Sequence, residues 1–349
     1  MNQLDNKPPL KIRSRTLNWL LKNLFNTWYN SLLTIVSILI IFSFGKNFLY
    51  WVFVQAQWTV VTTNLRLFLV GRYPIDLIWR IWTVVGIIIA LSIITWGALT
   101  KRFFPQIISW LPLIWTLSFP IVLWLIGGGL GLKPVGSELW TGLLLTLLLA
   151  IVSIALSFPL GIVLALGRQS DLPVVRIFSI IYIELIRGIP LIGILFIAQV
   201  MLPLFLPTDL RLDRVVRAIA GLTLFSAAYM AENVRGGLQA VPRGQREAAK
   251  ALGLNPILIT SLIVLPQALK VAIPSIVGQF IGLFKDTSLL AIFALLELTG
   301  IARSILAQPE FLGKYAEVYL FVGVIYWVFC YSMSLASRRL EKQLGVGQR

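Results

Sequence analysis

The 349-residue chain has no histidine, a single cysteine at position 330, and only 14 acidic residues against 30 Lys and Arg. The missing histidine excludes a Ser-His-Asp triad, and one cysteine leaves no Cys/His zinc site, haem-attachment motif or internal disulfide. Cys330 falls inside an apolar run, where a buried and inert thiol is expected. Charge of either sign is scarce: 13% of residues carry it, about half of the roughly 25% usual in soluble domains. No G-x-x-x-x-G-K-[ST] occurs, and Gly127–Gly131 misses the G-x-G-x-x-G spacing because Leu132 holds the last position. The chain is therefore not expected to bind ATP itself.

What is abundant is apolar. Residues of the AVILMFWYC set make up 58%, in runs such as Leu139–Leu166 that Gly and Pro interrupt but charge hardly does. So few charges cannot cover a water-soluble surface, and runs of about 20 apolar residues match one bilayer crossing. The fold class expected is an all-α polytopic membrane protein with about eight transmembrane helices, near 31–54, 78–98, 107–126, 138–167, 175–206, 214–231, 269–298 and 315–336. Trp and Tyr gather near the span ends, as in an interfacial aromatic belt. The basic segment 1–30 lacks a small-residue cleavage site, so the first apolar segment is expected to remain as a span. Placing the N terminus in the cytoplasm puts 18 of the 30 Lys and Arg inside and 10 outside, with Arg187 and Lys285 left in spans. That bias predicts cytoplasmic N and C termini. No long basic run is present, so the positive charge is assigned to loop anchoring rather than to nucleic acid.

Polar clusters concentrate after residue 136. The expected organisation is a cytoplasmic segment at 1–30, accessory helices over 31–135, a working domain over 136–340 and a tail at 341–349. Between the sixth and seventh spans, about 240–266, lies a segment with charges, Gly and Pro at informative places. Pro242 suits a helix start, Gly253 a left-handed C-terminal cap, and Asn255-Pro256 an N-cap followed by Pro at the first helical position. These signals predict two short helices meeting at an elbow, with Arg243, Arg246, Glu247 and Lys250 at the rim of an alanine-bearing face. Such a helix either plugs into a partner protein or lies on the lipid surface.

Glu247-Ala248-Ala249, Gly253, Ile263, Leu265 and Pro266 reproduce the spacing E-A-A-x3-G-x9-I-x-L-P, which resembles the permease subunits of bacterial ABC importers. Residues 229–245, Ile186-Arg187-Gly188-Ile189-Pro190-Leu191 and Leu283–Leu290 are similar to the polar amino-acid permeases of the histidine, glutamine and arginine systems, which commonly have Thr at the position of Ile189. The resemblance covers roughly 138–340. It implies a five-helix permease core, here with three extra N-terminal helices like those of acidic, neutral or general amino-acid systems. It further implies an inner-membrane, multi-pass transport subunit rather than an enzyme. Implied partners are ABC ATPase subunits, which would hold ATP and Mg, a second permease, an extracytoplasmic substrate-binding protein and the amino-acid substrate. Arg243, Glu247, Ala248, Ala249, Gly253, Ile263, Leu265 and Pro266 are then the ATPase-coupling residues.

Charge at membrane depth costs at least a few kcal/mol and needs a partner or a purpose. Glu184 and Arg187 are three apart on one helix and able to pair. Gly188 and Pro190 loosen the same helix and free backbone groups toward a cavity. Lys285-Asp286-Thr287-Ser288 predicts a hinge that divides the seventh span, offering a half-helix N-terminus near Thr287 to a carboxylate and Asp286 or Glu297 to an ammonium. The alternatives are a structural Glu184–Arg187 pair and mutual neutralisation of Lys285 and Asp286. Gly278-x-x-x-Gly282 points to close packing at a permease dimer. A rival function is an intramembrane enzyme acting on lipid through Lys285/Asp286 or Glu184, but it leaves the elbow without a purpose.

Overall fold

The structure is a computed structural model that describes residues 15–99, 105–207 and 211–345. Lys7, Lys11, Arg13, Lys101, Arg102 and the last four residues of the tail, which enter the charge-bias reading above, lie outside the described residues. Two compact units are present, Met1–Trp58 and Thr59–Arg349. The structural division thus falls at 58/59, whereas the sequence suggested 135/136.

In the first unit, α1 (Arg15–Leu24) precedes α2 (Trp28–Tyr50), which runs on through one wider turn to Gln55. Thr27 caps α2 by accepting from the Asn30 N–H. No residue of α2 is buried, as expected of a predominantly apolar helix that faces lipid.

The second unit begins with two short helices, α3 (Thr59–Thr63) and α4 (Leu65–Val70), followed by α5 (Ile78–Leu99) and α6 (Leu111–Gly127). Then come α7 (Gly142–Arg168), α8 (Pro173–Gly188), α9 (Leu191–Phe196) and α10 (Leu202–Phe205). The core closes with α11 (Arg214–Ala240), α12 (Arg243–Ala251), α13 (Pro256–Leu258), α14 (Leu265–Asp286), α15 (Leu298–Leu306) and α16 (Tyr315–Leu344). Among the described residues six helices are long and apolar enough to cross a bilayer, and the pair Pro173–Gly188 and Leu191–Phe205, bent by 102°, makes a seventh if it is one span. The expected span at 107–126 corresponds to the shorter apolar helix Leu113–Gly127.

α11 is the centre of the bundle. Small residues let its neighbours approach: a methyl on Gly237 would meet the Ala268 carbonyl of α14, and one on Gly161 of α7 would meet Met230. Residues 59–135 are stitched to this core. Phe68 stacks edge-on against Phe321 with centroids 5.0 Å apart and the Arg72 N–H donates to Thr141 Oγ1 at 2.7 Å, while within 59–135 the Tyr73 hydroxyl donates to the Ile126 carbonyl at 2.8 Å.

Candidate functional site

The elbow forms where the capping residues placed it, with one difference. α12 ends in a left-handed turn at Gly253, φ +76°. There the Gly253 N–H donates to the Lys250 carbonyl (2.9 Å) and the Leu254 N–H to the Ala249 carbonyl (3.2 Å), the paired bonds of a Schellman cap. Asn255 Oδ1 then accepts from the Leu258 N–H at 2.9 Å and Pro256 opens the next helix. That next helix is not short. α13 passes through a π turn at Ile259–Val264 into α14 and the following 3-10 turns, so Pro256–Phe293 is one 38-residue helix. The wider π turn ends just before Pro266, relieving the clash between a proline ring and the carbonyl four residues earlier.

Only Ala249 of α12 is buried, sitting with Val234, Leu238, Val241, Ile259 and Val264 in one apolar cluster. Arg243, Glu247 and Ala248 are exposed, Ile263 and Leu265 are half-buried, and Pro266 is exposed. Leu252 and Ile257 flank the turn at 81% and 78% exposure. The elbow is thus a rigidly seated ridge whose outward face mixes charge with large apolar side chains, the make-up of a protein contact.

Directly inward lies a charge cluster that the sequence only half disclosed. Glu232 of α11 receives Arg168 of α7 at 2.7 Å, Arg235 at 2.7 Å and Arg187 of α8 at 3.7 Å. Glu184 pairs with Arg168 at 2.9 Å. The expected Glu184–Arg187 pair is therefore corrected: each finds its partner across a helix interface, because Arg168 and Glu232 stand closer to the ends of the two side chains. Arg187 also lies over the Tyr229 ring, 5.6 Å from its centroid. With Glu232 only 15% exposed, these bonds fasten three helices at the end nearest the elbow. Gly188 and exposed Pro190 flank the 102° bend, with Pro190 capping α9 through its carbonyl, which accepts from Gly193 at 2.9 Å.

The seventh helix departs from expectation. No half-helix starts at Thr287: the chain tightens into a 3-10 helix over Thr287–Phe293 without a break, and the Thr287 hydroxyl donates back to the Phe284 carbonyl at 2.7 Å. Lys285 is exposed while Asp286 and Ser288 are half-buried, and no ion pair between Lys285 and Asp286 occurs among the described residues. The reversal comes later, at Ala294, φ +55°. Glu297 is fully buried and caps α15, accepting from the Thr299 and Gly300 N–H groups at 2.9 and 2.8 Å, with the Tyr326 hydroxyl at 3.2 Å and Thr146 Oγ1 at 3.4 Å. Its carboxylate is consumed in joining α7, α15 and α16, so the structure does not present Glu297 as an open acceptor. Gly278 and Gly282 have no neighbour within 4 Å of a would-be methyl, leaving that stripe open.

At the far end of the bundle from the elbow, Arg72, Glu138, Trp140, Asp213 and Arg214 line a polar hollow of about 250 Å³. Asp213 caps α11 there and accepts from the Ser137 hydroxyl, while Arg214 donates to the Phe293 carbonyl at 2.5 Å. Sequence reasoning missed this hollow, since its residues come from four distant loops.

Residues 157–346, more than half of the chain, match the family described as binding-protein-dependent transport system inner membrane component. The chain is 41% identical over 360 aligned positions to the inner membrane amino-acid ABC transporter permease protein YhdY of Escherichia coli (strain K12), covering 98% of this chain and 96% of that one. It is 37% identical to the glutamate/glutamine/aspartate/asparagine transport system permease protein BztC of Rhodobacter capsulatus, over 83% and 79% of the two chains. Among solved structures, an amino acid ABC transporter with histidines aligns with a TM-score of 0.52 and 29% identity, covering 58% of this chain and 92% of that one. Nothing among these similarities supports an enzyme acting on lipid. The chain belongs to the family of inner-membrane components of binding-protein-dependent transport systems, as a multi-pass permease subunit of an ABC transporter.

Proposed function

We propose that this permease carries polar amino acids, acidic and neutral ones favoured, into a bacterial cell, and that partner ATPases drive it through residues 242–266. The observation that carries this reading is the exposed elbow: a helix whose one buried side chain is Ala249, with Arg243 and Glu247 exposed on it and Leu252 and Ile257 exposed beside it. Such a surface needs a protein on it, and a subunit without an ATP-binding motif needs a source of energy. The curated relatives whose names include glutamate, aspartate or glutamine support the substrate class.

ATP and Mg belong in this scheme to the ATPase subunits. The polar hollow opposite the elbow suits the arrival of an amino acid from an extracytoplasmic binding protein, with Arg72 and Arg214 facing its carboxylate side and Glu138 its ammonium. The orientation with both termini cytoplasmic rests on the Lys and Arg bias. The open Gly278–Gly282 stripe suits a second permease. Glu184, Arg187, Gly188, Pro190, Lys285, Asp286, Thr287 and Ser288 border the route, and Glu297 holds its wall. The test is uptake of labelled glutamate by membranes containing the complete complex, challenged with each of the 20 amino acids. Competition by acidic and amide amino acids fits the proposal, whereas competition by none of the 20 rejects it.

A further inference from the structure

One apolar cavity belongs to none of the features above. It measures about 450 Å³ and is enclosed by α4, the starts of α5 and α7 and the end of α6. All its lining residues precede residue 157, where the family match begins. Its walls are Leu, Ile, Val, Phe and Trp side chains with one exception, Arg66. Leu69, Trp82 and Ile151 on its rim are exposed, so it opens sideways from the bundle.

Water does not fill such a space, since each buried water needs two to four polar partners and the walls supply only Arg66. Left empty, the lining side chains would lose dispersion contacts on one side. A single hydrocarbon chain is thin enough and chemically matched. Arg66 stands at the mouth, exposed, with one Nη2 hydrogen bond to the Tyr73 carbonyl at 3.0 Å. A guanidinium carries five donors, so it retains N–H groups for a phosphate. The first turns of α7 line the cavity, whereas the last residue of α7, Arg168, pairs with Glu232 next to the elbow. The cavity is therefore at the end of the bundle remote from the elbow.

We propose that this cavity is a phospholipid site, taking one acyl chain of a lipid from the leaflet remote from the elbow, with the lipid phosphate on Arg66. The site depends on neither the substrate class nor the ATPase docking proposed above. The permease helices 59–152 would then be sealed by a lipid rather than by protein.

The test is native mass spectrometry of the assembled complex at detergent levels that strip surface lipid, with phosphatidylglycerol and phosphatidylethanolamine added back as probes. One phospholipid should remain per permease chain. Val152→Phe fills the cavity and should lower retention at least tenfold with Tm unchanged or raised, and Ile88→Phe on the facing helix serves if the first variant does not assemble. Arg66→Ala should lower retention several-fold while Arg66→Lys keeps it. Equal retention in wild type and a filled variant, or no retained lipid in the wild type, overturns the proposal. So does a photo-crosslinker at Ile88 that captures protein instead of lipid.

Discussion

Replacing Gly253 by Val isolates the geometry of the elbow. Gly253 holds φ +76°, where an L side chain costs about 1–2 kcal/mol, and a β-branched one lies at or above the top of that range. A methyl at Gly253 meets nothing within 4 Å, so packing adds nothing and the penalty is the backbone's alone. About 2 kcal/mol changes the population of the turn roughly 30-fold. The cap bonds at Lys250 and Ala249 are lost with it, and because Ala249 is the one buried side chain of α12, the helix then loses its fixed direction. The assay is reconstitution with the partner ATPase, reading stimulated ATP hydrolysis and uptake beside co-purification. Coupling should fall in the order Gly, Asn, Ala, Val, since Asn tolerates the left-handed region best among non-glycine residues. Wild-type coupling in Gly253→Val refutes the reasoning, and so does an Asn variant as damaged as the Val one, because that would divorce the effect from φ.

Four further outcomes follow from the structure. Glu247→Arg, at an exposed position, should change the stability of the permease by no more than about 0.5 kcal/mol by thermal unfolding, yet abolish stimulated ATP hydrolysis. Glu232→Gln leaves Arg187 and Arg235 without their acid and Arg168 with Glu184 alone. It should cost about 1–3 kcal/mol, below the 3–5 kcal/mol of a fully buried pair because Arg187 and Arg235 are about a third exposed, and a melting curve of the purified protein measures it. The double variant Lys285→Met with Asp286→Asn should assemble normally but shift the uptake KM several-fold, and unchanged uptake would remove these residues from the route. Deleting residues 1–58 should leave the permease core folded, whereas deleting 1–130 removes Phe68 and Arg72, the partners of Phe321 and Thr141, and should lower membrane yield sharply.

How much was legible in the sequence depended on whether the signal was local. Asn255-Pro256 and Gly253 announce themselves because a cap is made by the residue that forms it. Long apolar runs likewise declare most spans. The helices at 59–70 escaped notice because five or six residues with Thr and Asn among them show no period, and burial against α7 and α16 is what makes them helical. The partners of Glu184 and Arg187 were unreadable at spacing three, since the winning contacts join residues 16 and 45 positions apart. Glu297 looked like a free acceptor because Glu is not a favoured N-cap, and nothing in Glu297-Leu298-Thr299-Gly300 discloses that Tyr326 and Thr146 converge on it. The 3-10 continuation beyond Asp286 replaced the expected hinge because neither proline nor glycine stands between Asp286 and the reversal at Ala294.

The unbroken run from Pro256 to Phe293 gives the elbow mechanical advantage. From Asn255 to Asp286 the helix extends about 45 Å, half as long again as the roughly 30 Å hydrocarbon layer. A rotation of about 5° at its foot would sweep its far end through roughly 4 Å, more than the width of a water molecule. Pro274 sits past the midpoint, where its missing N–H softens the shaft and sets how much of that arc survives to Lys285 and Asp286. The helix is in this sense a lever: movement too small to unseat the foot becomes a displacement of several ångströms at the far end.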